Sequence, residues 1–254
     1  LYGTQHLHSA VLLQHKQMLT GNAVMIMDKL WVTGLILKGL SKGDQIGGPT
    51  QLAKILCESI NSCKSFDKDD LTKRYLKWWE NDAFDTGPTY ASVFSKIVMG
   101  TDPDEAVRQT HKEFDQNTAG CGPAHRCAPL AGFMNFPSTR LISIARQEAL
   151  ITHQHPDAGS GSALVVMICR LLLEGLSFQE TLENISTQAE LKTILSRVKK
   201  AQLSPDGYIL NVLCSAFHFI EEQTPMDKVF NFAGSPNYCP VIVGSIRACI
   251  KSKI

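Results

Sequence analysis

The sequence predicts an all-α fold, and three observations carry that expectation. Apolar residues recur at three- and four-residue intervals along almost every segment, helix start signals precede several of them, and alternating apolar–polar runs bounded by turns are few. The 254 residues suffice to bury a sizeable core, and no repeat, low-complexity stretch or linker divides them. The expectation is therefore one helical domain over residues 1–254.

Taken in order, Leu7–Leu19 and Ala23–Leu40 read as helices, the second with Gly34 and Gly39 as a small face for close packing. Gly43–Gln51 reads as a tight, buried turn whose polar side chains are Asp44 and Gln51. A stripe of Leu52, Ile55, Leu56, Ser59 and Ile60 follows. The next helix is expected from Asp67 to Glu80, with Leu71, Tyr75, Trp78 and Trp79 inward as core. Val93, Phe94, Ile97 and Val98 mark another. Asp102-Pro103-Asp104-Glu105 has an acid at the N-cap, proline at the first helical position and glutamate at the third. Ser177-Phe178-Gln179-Glu180 and Thr224-Pro225-Met226-Asp227 look alike in this respect. Ile209 to Ile220 completes the set with an amphipathic helix.

Composition excludes some classes of partner. A net charge of +1 with 19% charged residues argues against a nucleic acid or membrane surface bound mainly by charge. Arg197-Val198-Lys199-Lys200 reads as a solvated helix end. The eight cysteines include no Cys-x-x-Cys pair, so neither a zinc cluster nor a redox motif is written here. Reduced thiols and a cytoplasmic location are expected. The longest apolar run, Ala163 to Cys169, is too short to cross a bilayer, and no secretory signal is read.

Five polar turns interrupt the helices: Gly43–Gln51, Asp85–Thr89, Asn117–Arg126, Thr152–Asp157 and Gly234–Pro240. Such turns can bring backbone donors and reactive side chains to one ligand, or can lie apart as unrelated loops. Their order and spacing resemble the ADP-ribosylglycohydrolases. Gly39 to Gly47 is similar to that family's G-x-x-x-G-D-A-L-G turn, and Trp78-Trp79 followed by Asp85-Thr86-Gly87-Pro88-Thr89 to its W-x(n)-D-x-G-x-T segment. Gly120 to Leu130 resembles G-N-G-x-x-M-R-x-x-P-L, and Ile151 to Pro156 resembles L-T-H-x-H-P. Asp206-Gly207-Tyr208 looks like the G-Y-V segment, and Ala233 to Gly244 sits where the family has G-G-D-x-D-T-x-x-A-x-x-G. The resemblance covers roughly residues 34 to 250 and implies an all-α hydrolase fold with a cleft for a nucleotide sugar or ADP-ribosylated substrate.

It also implies a pair of magnesium ions, held by acids of a T-D-D-T motif and of D-x-D-T near the C-terminus. Magnesium needs hard oxygen ligands. Here the second motif reads Ser235-Pro236-Asn237-Tyr238, and Gly48-Pro49-Thr50-Gln51 runs straight into the helix that in the family follows the first. No metal site is therefore expected, and Asp69-Asp70 and Asp102-Pro103-Asp104 are explained by helix starts. What the resemblance leaves for the cleft is Asp85, Cys121, His125, His153, His155, Asn237, Tyr238 and Cys239. Asp85 is expected as general base or oxocarbenium stabiliser, with His153 or His155 assisting proton transfer. Cys121 or Cys239 with a histidine is a candidate nucleophile, or else fills space. Gly120 and Gly122 are candidate phosphate-facing donors, Tyr208 borders a ribose or base, and Asp44, Gln51 and His125 complete the ligand contacts. Three readings follow: a metal-free ADP-ribose hydrolase, a silent ligand-binding or structural relative, and a thiol-dependent hydrolase or transferase.

Overall fold

The computed structural model describes residues 32–234 and 238–250, and every described element is a helix. The expected helix Leu7–Leu19, the first part of Ala23–Leu40, and Asn237 lie outside the described residues. Helix α1 covers 32–43 and α2 covers Gly48–Cys63, followed by α3 (Lys68–Asp82), α4 (Pro88–Val98) and α5 (Pro103–Glu113). The short α6 (Gly122–Cys127) runs into a 3-10 turn at Ala128–Gly132. Then come α7 (Ser138–Ala149), α8 (Pro156–Leu173), α9 (Phe178–Thr187), α10 (Lys192–Val198), α11 (Ile209–Glu221), α12 (Met226–Ala233) and α13 (Tyr238–Ile250).

The starts follow local chemistry. The Asp67 and Asp102 side chains each accept two backbone N–H bonds of the first turn, and Ser177 with Glu180 forms a reciprocal capping box. Thr224 does not cap: α12 begins one residue later, behind Pro225, whose fixed φ already sets the chain on course into the helix.

The bundle is built around α8, which packs against α6, α7, α9, α10, α11 and α13. Nearly all of its side chains are buried, so it carries little polar face, as a helix enclosed on all sides should. At 18 residues α8 is long and apolar enough to span a bilayer, more than the run Ala163 to Cys169 suggested, but it sits inside the bundle. Helix α1 crosses α13 so closely that a Cβ on Gly39 would lie 2.5 Å from the Gly244 carbonyl oxygen, and one on Gly244 would lie 2.3 Å from that of Gly39. Gly34, by contrast, faces open space, so the close contact is made by Gly39 alone of the two. Trp78 and Trp79 are partly buried and pack against the core, alongside the stacked pair Tyr90 and Phe94.

Candidate functional site

Four of the five polar turns named above meet around one cavity of about 520 Å³, together with Asp206–Tyr208 and with Tyr238 at the start of α13. Two of them are tied by a single antiparallel bridge. The Cys121 N–H donates to the Gly207 carbonyl at 3.1 Å, and the Ile209 N–H donates to the Ala119 carbonyl at 2.9 Å, which sets Gly120 beside Tyr208. The Cys121 N–H is thereby spent and does not face a phosphate.

At one wall, α1 turns into α2 through Gly47, whose φ of 109° is a left-handed conformation that glycine adopts without a Cβ clash. The turn is shorter than expected, since Gly48, Pro49, Thr50 and Gln51 already belong to the helix. Asp44 is the hub: Oδ1 accepts from Gly47 N–H at 2.8 Å, while Oδ2 accepts from Thr50 N–H at 2.7 Å and Thr50 Oγ1 at 2.5 Å. A buried carboxylate at a helix N-terminus with three donors is an anchor for that helix. Gln51, one residue beyond Thr50 on the helix, points outward into solvent and does not line the cavity.

Asp85 sits at the mouth, exposed, with a φ of 52°, an arrangement that aspartate tolerates better than most residues. Partial desolvation and the nearby Asp44 charge hold its carboxyl above the ordinary range, offset in part by a hydrogen bond from the Gly48 main chain.

The floor is formed by α6 and the turn before α8. Arg126 is fully buried and paired with the equally buried Glu148, which also accepts from the Tyr75 hydroxyl at 3.0 Å. Its guanidinium lies 5.3 Å from the Tyr75 ring centre and 5.9 Å from that of Tyr90. Arg126 also donates to Thr152 Oγ1 at 2.9 Å, and Thr152 Oγ1 lies 2.7 Å from His153 Nδ1. The threonine hydroxyl thus links the Arg126 guanidinium to the imidazole of His153. Burial and the Arg126 charge press the His153 pKa down to about 3. Its Nε2 lies 3.1 Å from where a Cβ on Gly120 would stand, so glycine there leaves room for the ring. Gly122 lines the cavity beside the same imidazole. His125 also lines it, with burial lowering its pKa to about 4.

The other expected residues divide. Tyr208 lines the cavity, and its hydroxyl donates to Asp157 Oδ2 at 3.1 Å. Asp157 is gripped by Arg197 through both oxygens, so the run at 197–200 is more than a solvated helix end. Tyr238 lines the cavity against Gly207. His155 does not reach it: Nδ1 accepts from Asp157 N–H at 3.2 Å, capping α8, and the ring leans on His111. Cys121 touches the cavity but is buried, and burial pushes its thiol far above the usual range. Cys239 does not line it, and its thiol is pushed up to about 12 by burial. A thiol so desolvated is not a ready nucleophile. Sequence reasoning passed over Arg126, Asn117, Phe114 and Tyr90 as cavity residues. The buried arginine inside a Gly-rich turn was the one available signal.

Among the described residues, the carboxylates lining the cavity are Asp44 and Asp85. Among the described residues, no three His, Cys, Asp or Glu side chains gather as a metal would need.

Among the described residues, then, a bundle of helices closes a ring of turns around one cavity. A family model described as ADP-ribosylglycohydrolase matches residues 15–246, and the chain belongs to that family. A solved ADP-ribosylglycohydrolase-related protein complex superposes with a TM-score of 0.67 at 22% identity, over 88% of this chain and 87% of that one. At that identity the likeness establishes the fold. Among curated proteins, none matches the sequence.

Proposed function

We propose that the cavity binds an ADP-ribose-type ligand, and that the glycosidic bond is cleaved there without a two-magnesium site, with Asp85 as general base. The observation that carries this is the contrast between the two lining carboxylates. Asp44 is consumed by three donors of its own turn, whereas Asp85 stands exposed at the mouth with its carboxyl above the usual range. One free carboxylate does not make the set of hard ligands that a magnesium pair needs. The cavity volume lies within the range of small-molecule sites, and its apolar wall of Ile46, Pro49, Leu52 and Tyr90 suits a base or sugar face. The low pKa values of His153 and His125 leave both poor bases at neutral pH, so proton transfer falls to Asp85.

The small number of carboxylates among the described lining residues also suits a second reading, binding without turnover. Calorimetry with ADP-ribose in EDTA, together with release of ADP-ribose from ADP-ribosyl-arginine and ADP-ribosyl-serine peptides, separates the two. Release that survives EDTA and falls at least about a hundredfold in Asp85→Asn supports hydrolysis by Asp85. Binding without release selects the second reading. Release that EDTA abolishes overturns the metal-free reaction, and absence of ADP-ribose binding overturns the ligand assignment.

A further inference from the structure

Cleavage without a metal needs an acid as well as a base, because the leaving oxygen of an O-linked substrate departs as an alkoxide unless a proton meets it. The cavity is short of acids. His125 and His153, with pKa values of about 4 and 3, carry no spare proton at neutral pH. Arg126 does not release its protons, and the lining threonine hydroxyls are aliphatic alcohols, too weakly acidic for the task. Among the described residues, Tyr90, Tyr208 and Tyr238 also line the cavity, and hydrogen bonding separates them. Tyr90 donates to the Tyr75 carbonyl at 3.4 Å, and Tyr208 to Asp157 at 3.1 Å.

The Tyr238 hydroxyl has no partner among the described residues. It is not sealed either, for the residue is half-buried and its oxygen keeps open surface. Tyr238 is the first residue of α13, and its ring lies over Gly207. A Cβ on that glycine would stand 3.0 Å from the hydroxyl-bearing Cζ and 3.2 and 3.3 Å from two ring carbons beside it. Glycine at 207 therefore gives the ring its seat. Burial first, then neighbouring acidic groups that include Asp206 and Asp85, hold the hydroxyl above its ordinary range, so it keeps its proton at neutral pH.

We propose that Tyr238 is the general acid of the reaction, its hydroxyl handing a proton to the leaving oxygen while Asp85 takes one from the attacking water. This rests on the hydrolytic reading above and deepens it by naming a second catalytic group. The water oxygen bonds to the anomeric carbon of the terminal ribose. The bond from that carbon to the serine oxygen breaks, and its electron pair takes up the phenol proton. The proton lost by water goes to Asp85 and passes through solvent to the phenolate, which is the stronger base. The products are ADP-ribose and a free serine hydroxyl, and both catalytic groups are restored.

Leaving-group dependence tests this. Tyr238→Phe removes one hydroxyl, and with no partner lost it should melt at the temperature of the parent protein. On an ADP-ribosyl-serine peptide its kcat/KM should fall about a hundredfold. On ADP-ribose linked to 4-nitrophenol, whose oxygen departs as a stable anion without a proton, it should lose less than about threefold. Its affinity for ADP-ribose in calorimetry should stay within about twofold of the parent. Asp85→Asn, by contrast, should slow both substrates alike. Equal losses of Tyr238→Phe on the two substrates would make the hydroxyl a binding or structural group and overturn the acid. A parent protein inert toward both substrates brings down the hydrolytic reading and the acid together. A parent active on the serine peptide, with Tyr238→Phe equally active, brings down the acid alone.

Discussion

Two ion pairs hold the cavity, one under its floor and one at its rim, and they do different work. Arg126 and Glu148 are sealed in the core, at 2% and 0% side-chain exposure. Arg197 grips the buried Asp157 from a position 47% exposed. A charge in the core has only its partner to replace lost hydration, so removal of either member leaves the other stranded. A rim charge can turn to water. The floor pair is therefore a structural commitment that orients Thr152 and His153, and the rim pair is a soft brace behind Tyr208.

The largest expected effect tests the floor. Glu148→Ala strands Arg126 and the Tyr75 hydroxyl, and urea unfolding should show a loss of about 3–5 kcal/mol. A loss below about 1 kcal/mol would mean that water reaches the floor and that the contrast with the rim is wrong.

Acid should act on the floor as well. Burial holds His125 and His153 neutral, with pKa values of about 4 and 3, below the unfolded value near 6.5. Below 6.5 the unfolded chain takes up protons that the folded rings refuse. Their contribution is whole above pH 6.5 and is lost as pH falls toward 4, by an amount of the order of 3 kcal/mol for His125. His125→Met should flatten this slope in denaturant titrations between pH 6.5 and 4; an unchanged slope would place the ring in contact with water.

Asp44 behaves like the floor, since it is buried and two of its three donors come from the buried Thr50. Asp44→Ala should cost about 2–3 kcal/mol, through the lost α2 cap and the orphaned Thr50 and Gly47 donors. The smallest effect belongs to the rim: Arg197→Ala should cost about 1–2 kcal/mol by thermal melting, because the guanidinium is screened by solvent while the buried Asp157 keeps the Tyr208 hydroxyl as a donor. A loss matching that of Glu148→Ala would erase the distinction between the two pairs.

How far these features could be read beforehand depends on their range along the chain. The caps at Asp67, Asp102 and Ser177 join residues two or three positions apart, so the sequence displays them directly. The turns were visible as clusters of glycine, proline and histidine. Side-chain direction was not. Thr50 and Gln51 are neighbours, yet the helix phase turns one inward to Asp44 and the other to solvent. His153 and His155 differ in the same way, one set in the floor and the other capping α8.

By itself the sequence determined the helical class, most helix starts and the family, because periodicity, caps and turn chemistry act within a few residues. Only the tertiary structure decided which groups are charged, free or spent. Arg126 finds Glu148 across 22 residues and Arg197 finds Asp157 across 40, and no local pattern encodes such pairings. The low pKa values of the two cavity histidines and the inertness of Cys121 likewise come from burial, which is a property of the packed bundle and of no single segment.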